Sequence, residues 1–243
     1  MFEADKFFNT DNPIYKALFS ETSYAWEALA RIEEYINSNI RPNIPGLAED
    51  GILITQNMRL DNGALIEAGA FLKGTAIELG PDSVIESGAY VISPVIIGSS
   101  TNIRQGAYVR GKVIVGNDCV VGHATEMKNS VMLGDSKAGH FAYIGDSLLG
   151  SVNLGAGTKL ANLKVTNSEV VVKSGSEIIR TGLRKFGAIL ADGVETGCNS
   201  VTAPGTILGK NAVLYPNTSA RGYYPDRTIV KLRQKTEQEV KSV

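Results

Sequence analysis

The chain has 243 residues, 43% apolar and 20% charged, with a formal net charge of −1. This is the composition of an ordinary folded protein of one large or two small domains. The near-zero charge excludes a global field that would draw it to nucleic acid or an anionic membrane, and no apolar run is long enough to cross a bilayer.

The opening MFEADKFFNT has neither the basic flank nor the apolar run of a secretory signal. Cys119 and Cys198 have no metal or redox spacing. Both read as small buried hydrophobes in a reducing cytoplasm.

Residues 1–50 carry no repeat. Ser23 can cap a helix from about Tyr24 to Ser38, whose apolar face is Ala25, Trp26, Leu29, Ile32 and Ile36. This segment is expected to cap the first coil of the domain that begins near residue 51 or to pack on a neighbouring subunit, with Trp26 in the packing.

From residue 51 a period of six takes over. It begins with Ile54, Leu60, Ile66 and Leu72. One residue out of phase it continues as Leu79, Ile85, Val91, Ile97, Ile103, Val109, Val115, Val121, Met127 and Leu133. A small or β-branched residue usually stands four places after each aliphatic, as at Ser83, Ala89, Thr101 and Cys119. A period of six fits neither an amphipathic helix nor an alternating strand. It fits short strands and tight turns stacked into a solenoid, in which the aliphatic of each hexad points inward. Three hexads close one triangular coil, each about 4.8 Å above the last. The fold class is therefore an all-β solenoid, a parallel β-helix over 51–220, with a short helical N-terminal segment and a C-terminal tail or helix.

Within 126–146, EMKNSVMLGDSKAGHFAYIGD, the strict period fails and Gly139 takes the expected aliphatic place, followed by His140 and Tyr143. A local rule broken inside a regular pattern marks a candidate site. The glycines of VNLGAGT, 152–158, let a ligand approach the backbone. Residues 163–183 interrupt the repeat with strand-like patches at Val170–Val172 and Ile178–Ile179, an inserted loop or hairpin that belongs on the binding face. The repeat resumes with Leu190, Leu208 and Leu214, with Thr196 and Thr202 between. Residues 221–243 read as a turn and a basic tail or helix containing Arg227, Lys231, Arg233 and Lys235.

The segments IRQGA (103–107), VGHATEMKN (121–129), KAGHFAYIGD (137–146) and VNLGAGT (152–158) resemble the acetyltransferase domain of the bifunctional N-acetylglucosamine-1-phosphate uridylyltransferase/glucosamine-1-phosphate N-acetyltransferase. The phrase KAGH-x-x-Y-x-GD after EMK is the specific part, since many transferases share hexapeptide repeats. The resemblance covers about 97–162. It implies a left-handed β-helix, acetyl-CoA as acyl donor, an amino-sugar phosphate as acceptor, a homotrimer and a cytoplasmic setting. It implies His140 as the general base, Arg104, Lys128 and Lys185 as phosphate ligands, and Tyr143 and Asn153 as sugar contacts. Ala156 would supply a backbone donor near the thioester, and Asn162 a contact near cofactor and sugar.

That chemistry is coherent on its own terms. An amine attacking a thioester must lose a proton, which a neutral imidazole can take. Backbone N–H groups stabilise the oxyanion, and Lys and Arg on a rigid wall suit a phosphate.

The sequence departs from the family in three ways. The uridylyltransferase domain is not expected. Leu163 stands where the family has Tyr. The insertion separates Asn162 from Lys185. Two alternatives therefore stand beside an N-acetyltransferase: an acyltransferase with another acyl donor or a nucleotide-sugar acceptor, and a non-catalytic sugar-phosphate binding protein or scaffold. A carbonic anhydrase of this fold needs three zinc-binding histidines and the chain has two, so no metal is expected.

Overall fold

The hexads form short strands on three faces of a prism, in a computed structural model that describes residues 1–240. Face I has ten strands, from Met58–Arg59 through Leu65–Ile66 and Val120–His123 to Ile229–Val230. Face II has nine, from Ile52–Leu53 through Phe71–Lys73 to Ser219–Ala220, and face III eight, from Ile77–Leu79 to Tyr223–Tyr224. Above the first coil every strand of the three faces pairs in parallel with its equivalent one coil away, as Val91 with Val109 and Val109 with Met127. The fold is the β-solenoid that the period of six requires. The inward columns are fully buried, for example Leu72, Val91, Val109, Met127, Ile144 and Leu160 beneath face II. Tight corners need left-handed backbone, which short polar residues tolerate. Asp82, Ser100 and Asp118 take it at successive corners between faces III and I, with φ of 56°, 52° and 57°.

The bottom of the prism differs from the expected hexads. Strands β1 (Ile52–Leu53) and β2 (Met58–Arg59) pair antiparallel with Phe71–Lys73 and Leu65–Ile66. The stretch holding Ile54 and Leu60 thus runs back under the first coil, with both side chains buried. An open solenoid end would leave unpaired backbone groups, and this reversed stretch covers them.

The N-terminal segment lies along the flank of the solenoid and does not cap its end. From Ile96 to Ile207 the outward-facing side chains of face III are apolar: Ile114, Val131, Leu148, Ile189 and Ile207 are each at most 1% exposed. Each such burial is worth roughly 1.5–3 kcal/mol against exposure, and the segment is what buries them. Phe2 packs edge-on to Tyr223 near the top. Phe7 O accepts from Asp192 N at 2.9 Å in the middle. Asn43 bonds Leu79 N and O near the bottom.

Helix α1 (Pro13–Leu18), which the periodicity does not reveal, is capped by Asn12, whose Oδ1 accepts from Ile14 N. Helix α2 (Ala28–Asn39) lies over Val113–Val115 and Ser130–Met132 with Leu29, Ile32 and Ile36 buried. It starts later than the expected Tyr24. A 3-10 turn, Ala25–Glu27, precedes it, and Glu27, not Ser23, closes the entry by accepting from Ser23 N and Tyr24 N. Trp26 is 1% exposed between Tyr24 and Phe186, a core residue.

At the C-terminus, Tyr223–Tyr224 and Ile229–Val230 extend faces III and I, so the solenoid continues past 220. Residues 231–240 form neither helix nor strand. Their side chains are exposed and charged or polar at most positions, so no packing offsets the entropy of ordering them.

The insertion is a β-hairpin, Val171–Ser174 against Glu177–Arg180. It leaves the corner between faces II and III and packs back along the upper coils. Val170 and Val172 are buried, and a side chain on Gly205 would meet Val170.

Candidate functional site

The register changes where the polar motifs begin. Val109 to Val115 is six residues, but Met127 to Met132 is five, because Val115 pairs with Met132 and not with Leu133. The corner between faces II and III shrinks from two left-handed residues, Gly111 and Lys112, to one, Asn129. One coil up, Ile144 to Leu149 is again five, with Asp146 at the corner. The shift carries through to face I. Ala138, fully buried and paired with Val121, is the inward residue, so Gly139 breaks no rule. Leu133 is buried as well, outside the inward column; its carbonyl accepts from Asn12 Nδ2.

The shortened corner builds a polar cluster. Asp146 is 5% exposed at φ +47°. Its carboxylate accepts from Lys128 Nζ at 2.8 Å, from Asn129 Nδ2 at 2.9 Å and from Asn162 Nδ2. Asn162 Oδ1 in turn accepts the Tyr143 hydroxyl at 3.3 Å. Gly145 is glycine for a steric reason: a Cβ there would lie 2.6 Å from the Tyr143 oxygen and 2.8 Å from Asn162 Nδ2. Burial, and then the carboxylates of Glu126 and Asp146, push the Tyr143 phenol above its usual range, so it is a hydroxyl donor at neutral pH. A groove of about 330 Å³ opens beside it, lined by Tyr143, Lys159, Ala161, Asn162, Leu163 and Val201. Leu163, 40% exposed, gives this groove an apolar wall.

The base of the insertion closes on the same cluster. Phe186 N donates to Asn162 O, Gly187 N donates to Asp146 O, and Leu163 bridges Lys185. Lys185 is exposed there, next to the groove wall.

His140 stands apart from this cluster, exposed at the corner between faces I and II. Its strand neighbour one coil below is His123. The 17-residue spacing between the two equals the shortened coil and is the signal that pairs them. The next residue, Phe141, is 52% exposed at φ +36°, where the equivalent corners hold Ala124 one coil below, Gly106 below that and Gly157 one coil above. Gly157 N donates to His140 O at 3.1 Å, and the Phe141 ring lies against Gly157. Ala156 sits in that same turn, half-buried. Arg104 and Asn153 are on face I, half-buried and exposed respectively. Within one chain, then, Lys128, Tyr143 and Asn162 come together with Lys185 beside them. His140 and Ala156 share the neighbouring corner, and Arg104 and Asn153 lie beyond it.

Cys198 is not buried as expected. It is exposed at the same corner, two places after inward-facing Thr196. Cys119 is buried, and burial pushes its thiol up to about 12. Among the described residues, no cluster of His, Cys, Asp and Glu could hold a metal ion, and no helix is long and apolar enough to cross a membrane.

Residues 91–183 match the family model described as the GMPPB C-terminal domain. The chain is 41% identical over 87 residues to a bifunctional sugar-1-phosphate nucleotidylyltransferase/acetyltransferase of Sulfurisphaera tokodaii, covering 35% of this chain and 22% of that protein. It is 30% identical over 214 residues to the bifunctional protein GlmU of Methanococcus maripaludis, covering 83% of this chain and 44% of that protein. The chain therefore spans less than half the length of these relatives. Among solved structures, a UDP-N-acetylglucosamine acyltransferase of Francisella novicida is similar with a TM-score of 0.42 at 16% identity, covering 67% of this chain and 60% of that one.

Proposed function

We propose that this protein is a sugar N-acyltransferase that moves an acetyl group from acetyl-CoA to the amine of an amino-sugar phosphate such as glucosamine-1-phosphate. The observation that carries this reading is the pairing, on one coil, of an exposed histidine with a rigid polar platform. His140 and Tyr143 are three residues apart, and Tyr143 is tied through Asn162 to Asp146 and Lys128. The Sulfurisphaera relative is an acetyltransferase in part of its length, which supports the reading.

In this reading the acceptor's neutral amine attacks the thioester carbonyl, and a C–N bond forms. His140 takes the proton released from nitrogen. The Ala156 N–H, in the glycine-rich turn beside His140, meets the developing oxyanion. The C–S bond breaks, and the coenzyme leaves as its thiol with the proton returned. The glycines of this turn are required by the coil above, since a Cβ on Gly155 would lie 2.5 Å from Thr196 O and one on Gly157 2.5 Å from Asn199 Oδ1. Tyr143, Asn153 and Asn162 hold sugar hydroxyls, and Arg104, Lys128 and Lys185 meet the phosphate. Arg104 and Asn153 lie on a different face from Tyr143, so a homotrimer with face I of one copy against face II of the next would complete the site. Use of acetyl-CoA suits a reaction in the cytoplasm.

The test is thiol release from acetyl-CoA with glucosamine-1-phosphate. Release is expected, with a drop of about 10²–10⁴-fold in His140→Ala. No release across a panel of amino sugars and nucleotide-linked amino sugars would sink the enzyme reading and favour a sugar-phosphate binding protein.

A further inference from the structure

We propose that Asp146 is a positioning residue that sets the anion affinity of the acceptor site by cancelling the charge of Lys128 while locking Asn162 and Tyr143 in place. This rests on the reading of that cluster as an acceptor pocket.

The geometry assigns Asp146 both tasks. Its carboxylate lies at a left-handed corner, almost fully buried, and both oxygens are used. Oδ1 takes Asn129 Nδ2, and Oδ2 takes Lys128 Nζ and Asn162 Nδ2. A buried carboxylate needs such compensation, and here it comes from one cation and two amides. The Lys128 side chain is itself only 19% exposed, so its ammonium faces the site as half of a neutral pair. An anion arriving there meets the field of a dipole, which falls off faster than that of a free charge. On the same face Arg110 is paired with Glu126 at 2.6 Å, which removes a second cation in the same way.

Asp146 also determines which way the Asn162 amide faces. With Nδ2 on the carboxylate, Oδ1 is turned to the Tyr143 hydroxyl. Tyr143 is thereby fixed at the mouth of the groove with its oxygen lone pairs available to a sugar hydroxyl. The cluster is a preorganised hydrogen-bonding platform, with its phosphate attraction held down. The class of ligand it fits is a sugar whose hydroxyls, more than its charge, are read on this face.

The test has an unusual sign. Asp146→Asn keeps the side-chain volume and a residue type that the corners already accept, as Asn129, Asn199 and Asn211 show. It frees the Lys128 charge. Binding of inorganic phosphate, followed by calorimetry without acetyl-CoA, is expected to tighten at least about fivefold, and the gain is expected to vanish when Lys128→Met is added. In turnover with glucosamine-1-phosphate, KM is expected to fall together with kcat, because Asn162 and Tyr143 lose their anchor. A merely structural carboxylate would raise KM or lower both affinity and stability.

Phosphate affinity that is unchanged or weaker in folded Asp146→Asn overturns the proposal. Should that variant not fold, as read by circular dichroism, Lys128→Met alone decides. A loss of less than about tenfold supports a phosphate-facing lysine already neutralised by Asp146, and a loss of about tenfold or more overturns it. The binding readout is independent of acetyl transfer, so failure of the enzyme reading and failure of this one are separable.

Discussion

The lower and upper coils are built to different rules. After a first step of 19 from Leu72 to Val91, the register between coils is 18 residues up to Met127, and the outward side chains of face II include a packed aromatic ladder, Phe71, Tyr90 and Tyr108. Above Met127 the steps fall to 17 and 16, from Met127 to Ile144 and from Ile144 to Leu160, before returning to 18 above the insertion, as from Thr202 to Ala220. The inner columns then admit hydroxyls at Thr196 and Thr202. The polar cluster appears in the shortened coils. In the lower coil the two-residue corner projects Lys112 outward, where it pairs with Glu33 of α2. In the shortened corner a single left-handed residue turns inward-lying polar atoms toward the next coil, and Asn129 and Asp146 touch. Removing one residue from a corner thus converts a solvated turn into a buried polar junction.

Reversing that change is expected to have the largest effect. Insertion of one glycine between Lys128 and Asn129 restores the two-residue corner and separates Lys128 and Asn129 from Asp146. Acetyl transfer is expected to fall at least about 100-fold, because misplacing a site by an ångström already costs that much. Circular dichroism should still report a β-solenoid. The complementary change, deletion of Lys112, shortens a lower corner at the cost of one exposed ion pair worth about 0–1 kcal/mol and of the carbonyl that accepts from Ser130 N at 3.1 Å. It should leave the rate within about threefold. Equal losses in the two variants would show that the corner length does not matter to the site.

Much of this difference was legible, and the parts that were not have physical reasons. The inward columns could be read because nine apolar residues in strict step, Leu79 to Met127, leave one interpretation. The slip after Met127 could not, because Met132 and Leu133 are both apolar and counting cannot choose between them. That ambiguity also made Gly139 look anomalous when Ala138 in fact continues the column. The docking of the N-terminal segment had a signal in the repeat itself. Ile96, Ile114, Val131 and Leu148 place an apolar residue outward on every third hexad, an exposed stripe that something must cover. Lys128, Tyr143 and Asn162 were singled out through a family resemblance whose motif also contains Asp146, but the bonds Asp146 makes to Lys128 and Asn162 depend on backbone handedness at a corner, which spacing does not encode. The exposure of Cys198 has the same origin, since the corner turns its side chain outward.

The middle of the range tests the corner next to His140. Most residues pay roughly 1–2 kcal/mol for left-handed backbone, and a ring as large as Phe141 persists there only where something else retains it. Lower coils solve the same corner with small residues, Gly88, Gly106 and Ala124. Phe141→Gly should therefore raise stability by about 0.5–1 kcal/mol, the relief of strain exceeding the greater unfolded-state freedom of glycine. It should also reduce kcat/KM for acetyl transfer about tenfold, because the ring beside His140 is lost from the site. A thermal melt that moves down, or a rate that does not change, would remove Phe141 from the functional account.

The smallest effect is expected in the regular region, at Cys119. Its thiol sits in the inner column above Thr101, whose hydroxyl accepts from Cys119 N at 3.1 Å. Burial is the chief reason its pKa rises from 9.0 to about 12. The folded state therefore keeps the thiol neutral where the unfolded chain ionises it. The resulting stability is fully present below pH 9 and is lost as pH climbs toward 12. At pH 10 the loss amounts to about 1 kcal/mol for a group displaced this far. Cys119→Ala should lower stability at pH 7 through lost packing, yet show a flatter decline between pH 8 and 10.5 than the parent in chemical denaturation. Parallel declines in the two proteins would mean that the thiol is not held neutral by the fold. The measurement also bears on the contrast between the coils, because an alkaline loss traced to Cys119 belongs to packing alone. Any additional loss of acetyl transfer over the same range must then come from the shortened coils above it.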